Sequence, residues 1–337
     1  MSSSRKHPTT ALVALVTGAI AATTALTACT TAQSAEEADT SNPQDTEHAD
    51  HSDHDHGADN HAEPQGKEET DTYKPRIAVT YDGGIHILDA STLEEVADIP
   101  LDGFNRISAT GNPRYLAVAA SGGFRLLDMG TWTHKHCDHD HYYTAQPQLL
   151  DLLVPAEEPG HVIPKAENVT FFDDATGKAW TYTISDLGSS HDPVATYTAQ
   201  SPHHGFAIQR ADGSYVVTEG THDERNTVNV AAADGKVLTS NSKCPGVHGE
   251  AVAAAETITV GCQDGILIVK DKTITKVDSP TDYGRIGNQA GVKDSPVVLG
   301  DYKSDKDSKT EQPTQVSLTD VEKETLTLVD LPASLLI

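Results

Sequence analysis

Short runs of alternating apolar and polar residues fill the chain from about residue 75 onward. The first run, Arg76–Asp89, consists of two alternating segments separated by Asp-Gly-Gly. A glycine-containing turn between two such segments is typical of a β-hairpin. No part of this region shows the three- to four-residue apolar period of an amphipathic helix, so the pattern predicts an all-β fold.

The same strand–turn–strand pattern returns along the chain. Further copies are Tyr115–Asp128, Val169–Trp180, Tyr215–Gly235 and Thr257–Val269. Short strands, Gly/Asp turns and a repeat of about forty residues are typical of a β-propeller, in which four-stranded blades surround a central channel. A β-sandwich with long loops is the alternative, but it does not explain hairpins that recur at blade-sized spacing.

The number of repeats predicts about six to seven four-stranded blades. The last repeat, Val316–Leu331, runs almost to the end of the sequence. This leaves open either a truncated last blade or a different blade count. The predicted propeller domain spans residues 74–337.

The N-terminal segment has a different character. Two basic residues precede an apolar run, Ala11–Leu26, which is rich in Ala and Thr. The run is too short for a comfortable membrane span, so a signal peptide over residues 1–28 is predicted. Its ending, Leu-Thr-Ala-Cys29, resembles a bacterial lipobox, which implies cleavage before Cys29 and attachment of a lipid to its sulfur. An ordinary secretory signal beside an unrelated cysteine is the alternative.

Residues 29–73 contain little that could form a core. Their low hydrophobicity and acidic character predict a disordered linker between the lipid and the folded body. Within this leader stand His48, His51, His54, His56 and His61, set among carboxylates. Imidazoles and carboxylates at this density predict transient capture of a metal ion, although a solvated spacer with incidental histidines is the alternative.

Charge and cysteine content bear on the binding partner and on the cellular compartment. The formal net charge of −26 makes nucleic acid an unsuitable partner and favours attraction of cations. Outside the cytoplasm, the three cysteines other than Cys29 are first of all disulfide candidates. Cys244 and Cys262 flank strand-like segments and are predicted to pair. Cys137 is either a spare thiol or a soft metal ligand.

Three histidines recur at blade-sized spacing. His161, His204 and His248 are 43 and 44 residues apart, and each stands beside Gly or Pro just ahead of a blade's first hairpin. The first strands of the blades line the channel, so equivalent positions of neighbouring blades face one another. Because neutral imidazole is a common zinc ligand, the spacing predicts a shared zinc site at one mouth of the channel. Separate histidines that bond loop carbonyls are the alternative.

A second group of histidines lies in a short segment between two hairpin repeats. His134, His136, His139 and His141 are placed two apart within each pair, so on extended strands each pair leaves one face. We expect His136, His139 and His141 to complete the propeller site. A solvated loop is the alternative.

Several phrases in these regions resemble the AztD-type zinc metallochaperones, which are extracytoplasmic β-propeller proteins of zinc ABC transporter systems. They are Asp138–Tyr143, Pro202–Gly205, Cys244–Glu250, Gly261–Gly265 and Gly284–Gly287. The resemblance implies that propeller histidines bind zinc with the help of a histidine-rich N-terminal stretch, and that zinc passes to the transporter's solute-binding protein. It also implies a Cys244–Cys262 disulfide. Cys137 stands where this family pattern leads us to expect glycine.

Together these features predict a metallochaperone, lipid-anchored at the outer face of a bacterial cell membrane, that carries Zn²⁺ and is not an enzyme. A zinc-dependent hydrolase with Glu250 as general base is one alternative, although the sequence has no His-Glu-x-x-His motif. An interaction propeller with incidental metal binding is another. Histidine ligands must be neutral, so zinc affinity is expected to fall between about pH 7 and 5.

Overall fold

A computed structural model describes residues 64–308, 310 and 312–334. The predicted signal peptide, the lipidation site Cys29 and the five leader histidines lie outside the described residues. In the part of the chain that is described, no helix has the length and apolar character needed to cross a membrane.

Strands account for nearly all of the regular structure. The first ten are β1 (Glu68–Thr70), β2 (Arg76–Tyr81), β3 (Gly84–Asp89), β4 (Glu95–Pro100), β5 (Arg106–Ala109), β6 (Tyr115–Ala120), β7 (Gly123–Asp128), β8 (Thr131–His136), β9 (His139–Thr144) and β10 (Gln148–Pro155). The next eight are β11 (Pro159–Lys165), β12 (Asn168–Asp173), β13 (Lys178–Thr183), β14 (Ala195–Thr198), β15 (Ala207–Gln209), β16 (Tyr215–Gly220), β17 (Arg225–Ala231) and β18 (Val237–Asn241). The last eight are β19 (Glu250–Val252), β20 (Ile258–Cys262), β21 (Gly265–Lys270), β22 (Thr273–Asp278), β23 (Gln289–Ala290), β24 (Val297–Tyr302), β25 (Gln315–Asp320) and β26 (Thr325–Asp330). Two 3₁₀ helices, Ile184–Asp186 and Ala254–Glu256, are short connections.

Six antiparallel sheets form the blades of a β-propeller, which confirms the predicted fold. In chain order they contain β2–β4, then β5–β7 with β10, then β11–β14, β15–β18, β19–β22 and β23–β26. The last repeat, which could have been truncated, has four strands, although β23 has only two residues. The first blade has three strands among the described residues. Its Asp-Gly-Gly turn corresponds to the turn between the second and third strands of the other blades. In the described residues this blade therefore lacks the innermost strand.

Neighbouring blades are held together by their apolar faces. Phe124 of the second blade and Phe171 of the third are fully buried and meet edge to face, with ring centroids 5.2 Å apart. Val228 of the fourth blade and Ile258 of the fifth share another buried cluster. Burial of each such side chain contributes roughly 1.5–3 kcal/mol to the stability of the packed blades.

A hairpin is inserted in the second blade between its third and fourth strands. Strands β8 and β9 form this hairpin, and β1 pairs with β9 to complete a three-stranded sheet. Residues 68–70 were included in the predicted disordered linker, but they are a strand because their backbone pairs with Tyr142–Thr144. The base of the hairpin is fixed by Arg114, whose guanidinium lies 4.1 Å from the Trp132 ring centroid and 2.6 Å from Asp128.

The course of the chain gives each end of the propeller a separate set of connections. In an antiparallel meander, the first strands of all blades begin at the same end, which we call the entry end. The connections between third and fourth strands then lie at the opposite end, the far end. The hairpin β8–β9 is such a connection, so it projects from the far end.

The predicted disulfide between Cys244 and Cys262 is present. Both cysteines are buried, and the bond joins the segment ahead of the fifth blade to the last residue of β20. Cys137, at the tip of the hairpin, is an exposed free thiol with a φ of +53°, a backbone conformation that favours glycine. This agrees with the glycine expected at that position.

Loss of the disulfide should destabilise the fifth blade. For the 18-residue separation, chain-entropy arguments predict that Cys244→Ser with Cys262→Ser lowers the free energy of unfolding by about 3 kcal/mol. Denaturant titration of the oxidised protein measures this change. Cys137→Ser is the matched control and should leave stability unchanged; equal stability of the double variant and the control would contradict the expectation.

Candidate metal centres

Histidines of three consecutive blades converge at the entry end. His161, His204 and His248 each place one ring nitrogen within 4.8 Å of the others. Their ring centroids are 5.1 to 5.5 Å apart. Nitrogens that share one tetrahedral zinc at 2.0–2.1 Å are about 3.4 Å apart, so movements of roughly 1 Å per ring would complete a site. We call these residues the entry triad.

Each ring of the entry triad is oriented by a hydrogen bond at Nδ1. The acceptors are Glu250 Oε1 for His161 at 3.3 Å, Asp174 Oδ2 for His204 at 2.5 Å, and the Gly287 carbonyl oxygen for His248 at 2.8 Å. A ring that donates from Nδ1 presents an unprotonated Nε2. Acceptors of this kind fix both the tautomer and the direction of a metal-binding histidine.

Glycine next to the histidines lets the acceptors approach. A Cβ atom on Gly160 would collide with the carboxylate of Asp174, and one on Gly249 would collide with the carbonyl oxygen of Gly287. Gly249 also has a φ of +74°, which disfavours other residues. The glycines that flank the histidines in the sequence therefore have a specific role: they allow other chain segments to pack closely beside the rings.

The surroundings of the triad are part apolar and part cationic. His161 lies on β11, and its ring centroid is 6.1 Å from that of the buried Phe206. Arg106 donates from Nη2 to the carbonyl oxygens of Pro159 and Gly160, at 2.8 and 2.5 Å, and so holds the start of β11. The His161 and His204 side chains are 18% and 33% exposed, so the triad is sheltered but accessible from the entry end.

The pKa values of two triad histidines move in opposite directions. Burial opposes protonation of His161, but the neighbouring Glu250 carboxylate outweighs this and raises the pKa of His161 above its usual value. Burial lowers the pKa of His248 to about 4. At neutral pH His248 is therefore neutral and ready to coordinate, whereas at His161 protons compete more strongly with a metal ion than they do at His248.

A second group of histidines converges on the inserted hairpin. His136, His139 and His141 place one nitrogen each within 4.8 Å of the others, and we call them the hairpin triad. His139 Nδ1 is 3.1 Å from Asp138 Oδ1, and His141 Nδ1 is 2.6 Å from Glu69 Oε1 on β1. His139 is 56% exposed, so this site is more open than the entry triad.

The structure places the six predicted propeller ligands in two groups rather than one. The hairpin projects from the far end, whereas the blade histidines meet at the entry end, so the hairpin histidines do not complete the entry triad. His134 faces His141 across the hairpin but is not one of the converging residues. Cys137 Sγ does not join either group. His203, beside His204, bonds the Ser201 carbonyl oxygen and Thr218 through its two ring nitrogens and is structural.

Sequence reasoning identified Glu250 but missed two other carboxylates. Asp174 stands in an Asp-Asp-Ala-Thr-Gly turn, where acidic residues are common for local reasons. Glu69 lies in the predicted linker. Each orients its histidine only through contacts between distant chain segments, 30 residues apart for Asp174 and 72 for Glu69. The sequence contains no local signal for either contact.

Removal of the charge on Asp174 should weaken metal binding without unfolding the protein. Asp174→Asn leaves an oxygen near His204 Nδ1 but removes the charge, and loss of such a partner typically costs 10–100-fold in metal affinity. Competition titration of zinc against a chelating dye measures the change. Asp223→Asn, on an exposed turn of the next blade at the same end, is the matched control. Equal affinity of the two variants would show that Asp174 has no part in the site.

The chain is similar in sequence to a known protein. No family model matches the chain. The zinc chaperone AztD of Citrobacter koseri is 23% identical over 234 residues, which are 66% of this chain and 55% of that protein. The chain thus spans about half the length of the curated relative it matches.

Two crystal structures of C. koseri AztD also share the fold. The apo structure superposes with a TM-score of 0.64 at 21% identity and covers 78% of this chain and 71% of that one. The other superposes with a TM-score of 0.63, also at 21% identity, and covers 77% and 70%. Sequence and fold together thus confirm the resemblance of this chain to AztD.

Proposed function

We propose that the protein is a zinc metallochaperone that carries Zn²⁺ as cargo in the entry triad. The observation that supports this best is the set of three Nδ1 hydrogen bonds, which leave each Nε2 free to coordinate, on three rings whose nitrogens lie within 4.8 Å of one another. Three neutral imidazoles with room for a fourth ligand suit tetrahedral Zn²⁺. The relative AztD is named a zinc chaperone, and the proposed metal and class of function follow that name.

The position of Glu250 favours a carrier over a hydrolase. A general base must reach the water bound to the metal. The Glu250 carboxylate instead contacts Nδ1 of His161 and so orients that ring. Its Oε2 atom is buried without a hydrogen-bond partner and 3.2 Å from the same nitrogen. Glu250 therefore orients a ligand and balances charge when the metal binds.

We propose that the zinc is received by the extracytoplasmic solute-binding protein of a zinc ABC transporter. Direct transfer requires that an incoming ligand reach the ion while the donor's ligands leave one at a time. His204 is the more exposed of the two triad histidines held by carboxylates, so its side of the site is accessible to an incoming ligand. The open fourth position of a three-histidine zinc site provides for such an exchange.

The protein is proposed to work outside the cytoplasm, anchored by a lipid on Cys29. The Cys244–Cys262 disulfide supports this location because structural disulfides persist in oxidising compartments. The leader histidines are proposed to collect Zn²⁺ transiently. The leader continues directly into β1, which pairs with the hairpin strand β9, so the hairpin triad is suited to a second, more labile ion.

The two triads should bind zinc independently. In a background with the five leader histidines changed to alanine, the protein should bind two zinc ions, one per triad. His161→Ala with His204→Ala should remove one ion, and His139→Ala with His141→Ala should remove the other. Metal analysis after equilibrium dialysis gives the stoichiometry. His191→Ala with His222→Ala, both exposed, is the control. Loss of both ions from either double variant would contradict separate sites.

Zinc affinity of the entry triad should depend on pH through His161. Because the pKa of His161 is raised, protons compete with zinc already above pH 6.5, and affinity should fall as the pH drops through this raised value. Glu250→Gln removes the cause, so the loss of affinity should move to lower pH, while affinity at pH 8 falls by about tenfold. Dye competition between pH 5.5 and 8, with the hairpin triad removed, measures both effects. A profile that matches that of the exposed control Glu157→Gln would refute the role of Glu250.

A further inference from the structure

The two ends of the innermost strands differ in the charged side chains that a cation would meet there. His161 lies near the start of β11, and Lys165 lies at its end, about 13 Å further along the strand. The buried Lys165 ammonium pairs with Glu256 at 3.2 Å. Arg210, directly after β15, is also buried and donates to the Asp271 carbonyl oxygen at 2.5 Å. These two buried cations stand at the far end, whereas His161 and His204 are partly exposed at the entry end. This contrast favours exchange of the ion through the entry end.

The entry end carries a prominently exposed aromatic side chain. Phe104 is 84% exposed, the most among the large apolar residues of the described part of the chain. Its loop is ordered: the buried Asn105 donates from Nδ2 to the carbonyl oxygens of Leu101 and Gly103, at 2.7 and 3.1 Å. Gly83 and Leu101 add backbone hydrogen bonds to the adjacent turn. These hydrogen bonds thus hold Phe104 in an exposed position. Contact of its apolar ring with water is unfavourable, and a partner that buries the ring relieves this.

Phe104 lies at the same end of the propeller as the entry triad. It lies on the connection between the first and second blades, which belongs to the entry end. Two residues later, Arg106 donates to the carbonyl oxygens of Pro159 and Gly160, immediately before His161. A surface that covers Phe104 would therefore also approach the triad.

The connections around this end are predominantly acidic. In the described part of the chain, the exposed acidic residues on them are Asp82, Asp102, Glu157, Glu158, Asp223, Glu224, Asp282, Asp305 and Asp307. Among the described residues, the exposed basic residues there are Lys243, Lys306 and Arg106, and Arg106 is held by two carbonyl oxygens. A partner that docks here must bring complementary positive charge or suffer repulsion.

We infer that the entry end is the docking surface for the zinc-exchanging protein, and that Phe104 is its anchor. The inference rests on the proposed function. The partner presents a basic surface around its own metal entrance and an apolar pocket that receives the Phe104 ring. Exposed aromatic residues that become fully desolvated are frequent hot spots of protein interfaces. The acidic surroundings increase the rate of encounter and orient the two proteins.

The test uses the zinc-loaded chain and the apo solute-binding protein of the zinc transporter from the same organism. Transfer is followed by rapid separation and metal analysis, and the rate is compared with zinc release to excess chelator. Phe104→Ala should slow transfer by about tenfold or more, as expected for a hot-spot residue, with unchanged release to chelator. Leu93→Ala, 64% exposed at the far end, is the matched control and should transfer at the wild-type rate. Higher salt should slow transfer by the wild-type chain.

The outcomes separate failure of the docking surface from failure of the proposed function. If wild-type transfer is no faster than release to chelator, direct transfer is refuted and the docking surface with it. If transfer is faster but Phe104→Ala and Leu93→Ala behave alike, the function stands and the docking surface is refuted. A dimer that sedimentation detects in the wild-type chain and that is lost in Phe104→Ala would instead assign Phe104 to an interface between copies of this chain.

Discussion

The candidate metal chemistry depends on one kind of interaction, the hydrogen bond that each converging histidine donates from Nδ1. An imidazole binds a metal ion only when it is neutral and when its free nitrogen faces the ion. The acceptors of His161, His204 and His248 satisfy both conditions at once. All three bonds cross between segments that are distant in the sequence, so they exist only when the blades have packed. The folded propeller is thus a precondition of the site.

The repeated architecture places the three rings at equivalent positions, but the acceptors make them unequal. A carboxylate holds His161 and His204, whereas a carbonyl oxygen holds His248. The pKa of His161 rises and that of His248 falls to about 4, so these two ligands respond to protons differently. A carrier that must release its cargo benefits from this inequality, because one ligand can leave before the others do.

Repeats made the sequence informative about the fold. Alternating segments and glycine turns predicted the hairpins, and the spacing of His161, His204 and His248 predicted their convergence, because each blade reuses the same positions. The disulfide and the shared face of His139 and His141 also followed from local patterns. Two of the acceptors could not be predicted from the sequence. A turn aspartate and a backbone carbonyl look the same in the sequence whether or not a histidine from another blade lies beside them.

The separation of the two triads was, in contrast, implicit in the topology. The segment with His136, His139 and His141 falls between the third and fourth strands of a blade, and such connections lie opposite the starts of the first strands. An exposed triad at one end and a sheltered triad at the other suit different tasks, since exposure speeds exchange and shelter with fixed acceptors strengthens retention.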